Sequence, residues 1–287
     1  MGDLVFDIGM WNGDDTSYYL AQGYRVVAVD ANPAMCEAAR ERFSQEISTG
    51  QLSIRNVGIT ETQGEMDFWV CDDTDWSSFD AAMATRQGKE ATPIKVQTIP
   101  FRQLLEEEGV PYFIKIDIEG SDSLCIKGLA ETGSCPAYVS FECSQIDGDA
   151  DINLLRSLGY DSFKCIRQND YREITPDNVV FQQELRRIMH RSLSRLPRTY
   201  RVRWLVGQAL GRAHYRRLNG RRYKKWTSGP PSFELPGRWL TADQILAVWH
   251  YLAASNLRLN ADGTGEWFDV HAAHGRAEQR PGSRSSG

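Results

Sequence analysis

The sequence predicts an α/β fold, built on a mostly parallel sheet with helices on both faces. Strand-like apolar runs alternate with helix-like segments through roughly the first 170 residues, a pattern typical of open parallel sheets. A turn with two glycines follows the first of these runs. The contents of 41% hydrophobic and 25% charged residues are those of an ordinary globular chain.

Seven short apolar runs predict the strands. In chain order they are "LVFDIGM", "RVVAVDA", "LSIRNVGIT", "EMDFWV", "YFIKIDI", "AYVSFEC" and "DSFKCIRQ". The predicted helices are "DTSYYLAQG", "AMCEAARERFSQEI", "FRQLLEEEG", "DINLLRSLGY" and "ADQILAVWHYLAAS". Asn32 and Pro33 supply an N-cap and a first-turn proline for the second helix, and Thr241 with Gln244 forms a capping box for the last.

The charge is distributed unevenly along the chain. Residues 183–226 contain 14 lysines and arginines and one acid, whereas the rest holds 19 bases and 37 acids, since the totals are 33 and 38. Apolar residues recur at helical spacing in this segment. We therefore predict a core at 1–182, a basic helical insertion at 183–228, a C-terminal loop and helix that pack on the core at 229–274, and a disordered tail at 275–287.

Three interpretations of the basic insertion stay open. It is a solvated insertion whose arginines pair with the acidic body, or a lid over the acceptor site. Alternatively, residues 186–225 bind an anionic partner or a membrane surface. Interleaved aromatic side chains would also suit stacking on sugars or bases, although nucleic acid is the least favoured partner.

Targeting signals are not evident in the sequence. No stretch reaches about 18 uninterrupted apolar residues, so no membrane-spanning helix is expected. The N-terminus lacks a basic region followed by a long apolar one, so we expect no signal peptide. Six cysteines without a C-x-x-C pair favour reduced thiols. A cytoplasmic location is predicted, and the oligomeric state stays open.

The stretch "LVFDIGMWNGDD" is a candidate cofactor loop. Gly9 and Gly13 would let the backbone turn sharply at the carboxyl end of a strand, where doubly wound sheets bind ligands. Asp30 ends the next predicted strand, and its carboxylate can accept hydrogen bonds from ribose hydroxyls. This pairing is shared by NAD sites and by S-adenosylmethionine (SAM) sites, and a purely structural turn is the remaining alternative.

Two features favour SAM over NAD. The G-x-G-x-x-G pattern is absent, because Met10 and Trp11 follow Gly9. The loop also carries several carboxylates, which would repel a pyrophosphate but attract the sulfonium and ammonium groups of SAM. Asp7 is predicted to meet the amino acid part of SAM.

The string "FIKIDIEGSD" is the second unusual feature. Lys115, Asp117 and Glu119 occupy alternate positions of an apolar strand, hence one face, and burying them is costly unless they pair or bind something. A structural ladder of ion pairs is the plainer interpretation. In another, Asp117 and Glu119 join Asp122 and Glu142 to hold a Mg²⁺-type cation, although no dedicated metal loop is visible, so we predict no metal.

These strings, "DIGMWNG", "VDANP" and "KIDIEG", together resemble the FkbM-type SAM-dependent methyltransferases, from Leu4 to about Gln168. The resemblance implies a Rossmann-like class I methyltransferase fold with a mostly parallel seven-stranded sheet, SAM as methyl donor, and an alcohol oxygen of a sugar or natural product as the usual acceptor. The cofactor-binding residues that we expect are Asp7, Gly9, Asn12, Gly13, Asp30, Ala31 and Asp117.

Methyl transfer to an alcohol also needs a group that removes its proton. The candidates are Asp117 first, Glu119 second, and His271 third, because it lies two residues after Asp269 and a histidine side chain ordinarily titrates near neutrality. Two other functions stay open. One is a catalytically inactive SAM-fold protein that uses its basic arm on an anionic partner. The other, disfavoured by the missing glycine, is an NAD-dependent oxidoreductase.

Overall fold

The structure is a computed structural model that describes residues 3–71, 76–143, 147–168, 171–182, 184, 215–218, 221–224, 228–235, 237–261 and 267–277. The strands are β1 (Leu4–Ile8), β2 (Arg25–Asp30), β3 (Leu52–Asn56), β4 (Gly58–Ile59), β5 (Gly64–Cys71), β6 (Ala91–Ile99), β7 (Phe113–Ile116), β8 (Tyr138–Glu142), β9 (Tyr160–Arg167), β10 (Glu173–Ile174), β11 (Tyr215–Leu218), β12 (Arg221–Lys224) and β13 (Phe268–His274). The helices are α1 (Asp14–Ala21), α2 (Pro33–Arg42), α3 (Ser44–Ser48), α4 (Ala81–Ala84), α5 (Phe101–Glu108), α6 (Asp122–Thr132), α7 (Gly148–Ser157) and α8 (Ala242–Ala261).

The main sheet has the strand order β10-β9-β13-β8-β7-β1-β2-β3. Strands β3, β2, β1, β7 and β8 pair in parallel, which confirms the predicted parallel sheet. The chain leaves β1 toward β2 on one side and later returns to β7 on the other. The strand order therefore reverses between β1 and β7, and the carboxyl ends of these strands form the usual ligand-binding crevice.

The C-terminal part of the chain completes this sheet. Strand β13 lies antiparallel between β8 and β9, although the sequence predicted only a loop and a helix there. The two-residue strand β10 pairs antiparallel with β9 at the edge, so the described sheet has eight strands and not the predicted seven.

Helices cover both faces of the main sheet, as predicted. Because side chains alternate along a strand, Phe6 and Ile8 face the core that contains α5, α6, α7 and α8. Val5 faces the opposite core, which contains α1 and α2. Asp7 shares this second face with Val5, so its carboxylate points toward α1 and away from the larger apolar core.

A small second sheet lies beside the main one, with the order β4-β6-β5. The single strand predicted over 52–60 is divided into β3 and β4 between these two sheets. The predicted helix over 34–47 is likewise divided into α2 and α3 at Phe43, whose φ of −112° is not helical. Strand β6 and helix α6 were not predicted.

The structure differs from the prediction in the basic insertion and the tail. Strands β11 and β12 pair antiparallel, so the helical prediction is wrong for 215–218 and 221–224; residues 185–214 lie outside the described residues. Residues 275–277, predicted as disordered, form a turn in which the Gly275 N–H donates to the Gly159 carbonyl at 3.0 Å. Residues 278–287 lie outside the described part. No helix that the structure describes is long and apolar enough to cross a membrane.

Candidate active site

Gly9 joins the ends of three strands. Its φ is +81°, and a Cβ atom at this position would lie 1.8 Å from the backbone oxygen of Asp117. Its N–H donates to the Val29 carbonyl of β2 at 2.9 Å. A side chain here would therefore separate the ends of β1 and β7, which explains why the turn needs glycine.

Asn12 and Gly13 shape the start of α1. Gly13 is the N-cap residue with a φ of +75°, and a Cβ atom there would lie 2.7 Å from the ring of Phe43. The Asn12 side-chain oxygen accepts from the Asp14 N–H at 3.0 Å, and its backbone oxygen accepts from Arg42 at 2.7 Å. Both residues thus support the turn, and neither lines the cleft described below.

Asp30 lies at the end of β2 with both carboxylate oxygens engaged by the backbone. The Trp11 N–H donates to Oδ2 at 2.7 Å, and the Asn32 N–H donates to Oδ1 at 2.8 Å. Burial raises the pKa of Asp30 to about 6, although these two donors act in the opposite direction. Each oxygen has a second lone pair, so the carboxylate can also accept from ligand hydroxyls.

A cleft opens beside Asp30 at the carboxyl ends of β1, β2 and β7. Its apolar wall consists of Met35, Val57, Ile59, Phe68, Phe79 and Ile118. The remaining lining residues include Gly9, Trp11, Asp30, Ala31, Asn32, Ser77, Asp117, Glu119 and Ser121. Of the seven predicted cofactor-binding residues, Gly9, Asp30, Ala31 and Asp117 line this cleft, whereas Asp7, Asn12 and Gly13 do not.

Lys115 is a buried cation beneath the glycine turn, with 3% of its surface exposed. Its Nζ donates to the Gly9 carbonyl at 2.6 Å and lies 3.2 Å from Asp7 Oδ1 and 3.8 Å from Asp117 Oδ2. Burial opposes the charge, but the two carboxylates more than offset it and raise the pKa of Lys115. Thr16 donates to Asp7 Oδ2 at 2.5 Å, so the buried Asp7 serves this internal network.

Carboxylates from neighbouring strands gather at the same end of the sheet. Asp117 follows β7, Glu142 ends β8, and Asp269 of β13 pairs in register with Glu142. Burial, and then the charges of nearby carboxylates, raise the pKa of Asp122 to about 8 and that of Glu142 well above its ordinary value. Burial also raises the pKa of Asp269, although the hydrogen bond that Gln168 donates to its Oδ1 at 2.9 Å acts in the opposite direction.

These raised pKa values mean that part of the carboxyl cluster is protonated at neutral pH, which limits the repulsion between its members. Within the ranges that the structure describes, no three histidine, cysteine, aspartate or glutamate side chains are grouped so that they could hold a metal ion.

Glu119 is held at the rim of the cleft. Its φ is +46°, and Arg86 Nη1 donates to its Oε2 at 2.8 Å. Ser78 Oγ donates to the Glu119 backbone oxygen at 2.9 Å, and the Arg86 guanidinium stacks 4.4 Å from the centre of the Trp76 ring. Arg86 was not predicted as part of the site, because no local pattern connects it with the "KIDIEG" string.

His271 lies in the middle of β13 and does not line the cleft. It pairs in register with Ser140 of β8 and Lys164 of β9, and it is fully buried. Neither ring nitrogen has a hydrogen-bond partner in the described part of the protein. Burial and then the charge of Lys164 lower the pKa of His271 to about 3, so its imidazole is neutral near pH 7.

Most of the predicted core of this chain matches a known protein family. A model described as the methyltransferase FkbM domain matches residues 7–168, which is more than half of the sequence. The chain belongs to the FkbM methyltransferase family. The predicted family is thus confirmed, and with it the predicted cofactor, SAM. The strand order of the main sheet corresponds to the predicted Rossmann-like class I fold. No curated protein matches the sequence.

Several solved structures resemble this FkbM methyltransferase. Methyltransferase FkbM from Methylobacillus flagellatus KT is 15% identical with a TM-score of 0.34; the match covers 50% of this chain and 33% of that one, so only a third of the relative's length is represented. An O-methyltransferase from Bacillus cereus in complex with SAH is 14% identical over 58% of this chain and 67% of that one (TM-score 0.31). Phosphoethanolamine N-methyltransferase 2 from Haemonchus contortus in complex with SAM is 10% identical over 96% and 49% (TM-score 0.34).

Proposed function

We propose that this FkbM methyltransferase transfers a methyl group to a hydroxyl oxygen of a sugar, polysaccharide or natural-product acceptor. The observation that carries the proposal is Asp117. Its carboxylate lies at the end of β7, lines the same cleft as Asp30, and is 3.8 Å from the buried Lys115. A carboxylate beside the cofactor cleft can take the proton of an attacking alcohol.

The residues of the cleft fit SAM. The Asp30 carboxylate can accept from the ribose hydroxyls while it keeps its two backbone donors, and Met35, Phe68 and Phe79 offer an apolar wall for the adenine. The surplus of carboxylates suits a ligand with a sulfonium and an ammonium group. When bound, SAM supplies the activated methyl group.

Asp117 is the preferred general base among the three candidates. Glu119 is occupied by Arg86 at 2.8 Å, and the fully buried His271 has a pKa lowered to about 3, which makes it a poor proton acceptor near neutral pH. A positioned base contributes about 10²–10⁴-fold to such a reaction, whereas orienting the reactants contributes about 7–11 kcal/mol. The proposed work of this chain is therefore to orient the acceptor and to remove its proton at Asp117.

A methylation screen tests the proposal. The full chain is incubated with isotopically labelled SAM and fractions of a cell extract, and mass spectrometry locates the labelled methyl group. We expect it on oxygen; labelled methyl found only on nitrogen or carbon would contradict the acceptor class. If titration calorimetry detects no SAM binding at millimolar concentration but does detect NAD, the oxidoreductase alternative gains support. A SAM-binding protein that methylates no fraction would favour the inactive binding protein.

The role of Asp117 has its own test. Asp117→Asn is expected to lower turnover by about 10²–10⁴-fold while the SAM dissociation constant changes only a few-fold, because the amide keeps the shape of the side chain but accepts no proton. Asp67→Asn is a matched control, since Asp67 is half-exposed on β5 and pairs with Lys95 away from the cleft. Unchanged turnover in Asp117→Asn would refute the assignment.

A further inference from the structure

The segment 228–235, which we call the covering segment, packs on the sheet face that carries Asp7 and Lys115. Ser228 and Ser232 are 1% and 0% exposed. Two contacts from the core hold the backbone of this segment: the Tyr19 hydroxyl donates to the Gly229 carbonyl at 3.0 Å, and Lys164 Nζ donates to the Ser232 carbonyl at 3.1 Å.

Lys164 strengthens this anchoring at the far end of the covering segment. Its Nζ also donates to the Leu235 carbonyl at 2.9 Å and lies 4.4 Å from the centre of the Trp239 ring. A buried ammonium group that serves two carbonyls and an aromatic face fixes the position of the backbone between them. The covering segment is therefore held at a defined place on this face of the sheet.

This placement brings Ser228 to the proposed general base. Ser228 Oγ lies 3.4 Å from Asp117 Oδ2, the same oxygen that faces Lys115 Nζ at 3.8 Å. The distance is long for a bond between a hydroxyl and a carboxylate, and such bonds in ligand-free sites commonly tighten when the substrate binds. Ser228 does not line the cofactor cleft, so its hydroxyl approaches Asp117 from the covering segment.

We propose that Ser228 is a positioning residue, whose hydroxyl donates to Asp117 and holds its carboxylate for proton removal from the acceptor. The inference rests on the proposed function only through the role of Asp117. Because the hydroxyl donates to the charged form, its removal makes Asp117 harder to ionise. Among the described residues, the charge of Asp117 acts on Lys115 of β7, Asp122 of α6, Glu142 of β8 and Asp269 of β13. Asp7 of β1 and Asp15 of α1 also act on Lys115, and Glu119 also acts on Asp122 and Glu142.

The test is a carboxyl titration of the full chain by ¹³C NMR, with aspartate labelled at the carboxyl carbon and the Asp117 signal assigned from Asp117→Asn. In Ser228→Ala the titration midpoint of this signal is expected to move to higher pH by about 0.5–1 unit. Ser232→Ala is the matched control, because Ser232 is equally buried in the covering segment and its hydroxyl has no partner among the described residues. Thermal unfolding checks that each variant folds.

The outcomes separate the inference from the proposed function. An unmoved midpoint in Ser228→Ala, or an equal movement in Ser232→Ala, overturns the inference, because a packing effect of the covering segment would then suffice. If Ser228→Ala does not fold, Ser228→Cys decides, since a thiol fills the space but donates weakly. The titration needs no acceptor. A moved midpoint in a protein that never methylates oxygen supports the contact between Ser228 and Asp117 but refutes the proposed O-methylation. An unmoved midpoint in an active O-methyltransferase refutes only the role of Ser228.

Discussion

Protonation of Asp30 is expected to control the affinity of this member of the FkbM methyltransferase family for SAM. The carboxylate accepts from the Trp11 and Asn32 N–H groups, and burial raises its pKa to about 6. A raised pKa means that the ionised form, which accepts best from ribose hydroxyls, prevails only above about pH 6. Each pH unit below this value reduces the ionised fraction about tenfold, which corresponds to about 1.4 kcal/mol of binding free energy. The dissociation constant at pH 5 should therefore be about tenfold higher than at pH 7.5.

Titration calorimetry from pH 5 to pH 8 measures this effect directly. Below pH 6, binding should also release a proton, so the apparent enthalpy should differ between two buffers with different ionisation enthalpies. Asp30→Asn should bind SAM at least about tenfold more weakly at pH 7.5 and lose the pH dependence, whereas Asp67→Asn should keep it. A wild-type dissociation constant that stays level down to pH 5 would refute the role given to Asp30.

Two further predictions concern stability, both measured by urea unfolding. Gly9→Ala should cost about 3 kcal/mol or more, because its Cβ would lie 1.8 Å from the Asp117 oxygen, whereas Gly23→Ala, with a similar φ of +83° and open space, should cost only about 1–2 kcal/mol. Equal costs would contradict the close approach. Lys115→Met should cost about 3–5 kcal/mol, since it leaves buried carboxylates uncompensated, whereas the exposed Lys95→Met should cost less than about 1 kcal/mol. A Lys115→Met variant as stable as Lys95→Met would refute that reasoning.

The parallel strands could be predicted from the sequence because they are buried, and burial requires apolar residues along almost their whole length. Strands covered on both faces are nearly continuous apolar runs, and "LVFDI" and "RVVAVD" have this form. The first run also contains Asp7, a buried charge that looked like a ligand group in the sequence. Its partners, Thr16 and Lys115, come from α1 and β7, and only the folded chain shows that Asp7 is engaged with them.

Strands β6 and β13 escaped prediction for different reasons. Strand β6 contains Pro93 and alternates with polar residues that stay partly exposed, which weakens its apolar signal. Strand β13 is buried along its length but carries Asp269 and His271. A polar side chain on a buried strand is tolerated when another segment supplies a hydrogen-bond partner, as Gln168 does for Asp269, and this cannot be seen from the segment alone.

The candidate site was only partly visible in the sequence. Asp30 and Asp117 follow apolar strands, so their positions at the carboxyl edge of the sheet could be inferred. Arg86 and Ser228 reach the site from segments far away in the chain, and no local sequence pattern around either residue indicates its partner. His271 lies fully buried in the middle of β13 and does not line the cleft, and the sequence could not show this because the position of β13 depends on pairing with distant strands.

The position of β13 between β8 and β9 affects folding during synthesis and the choice of truncated proteins. More than 100 residues separate β8 from β13, and pairings across such separations slow folding. While the chain is being synthesised, the facing edges of β8 and β9 stay open until residues 268–274 leave the ribosome, and open edges invite aggregation. A truncated protein limited to residues 7–168 would carry the whole family match yet lack the strand that joins these edges, so it is a poor choice for recombinant expression.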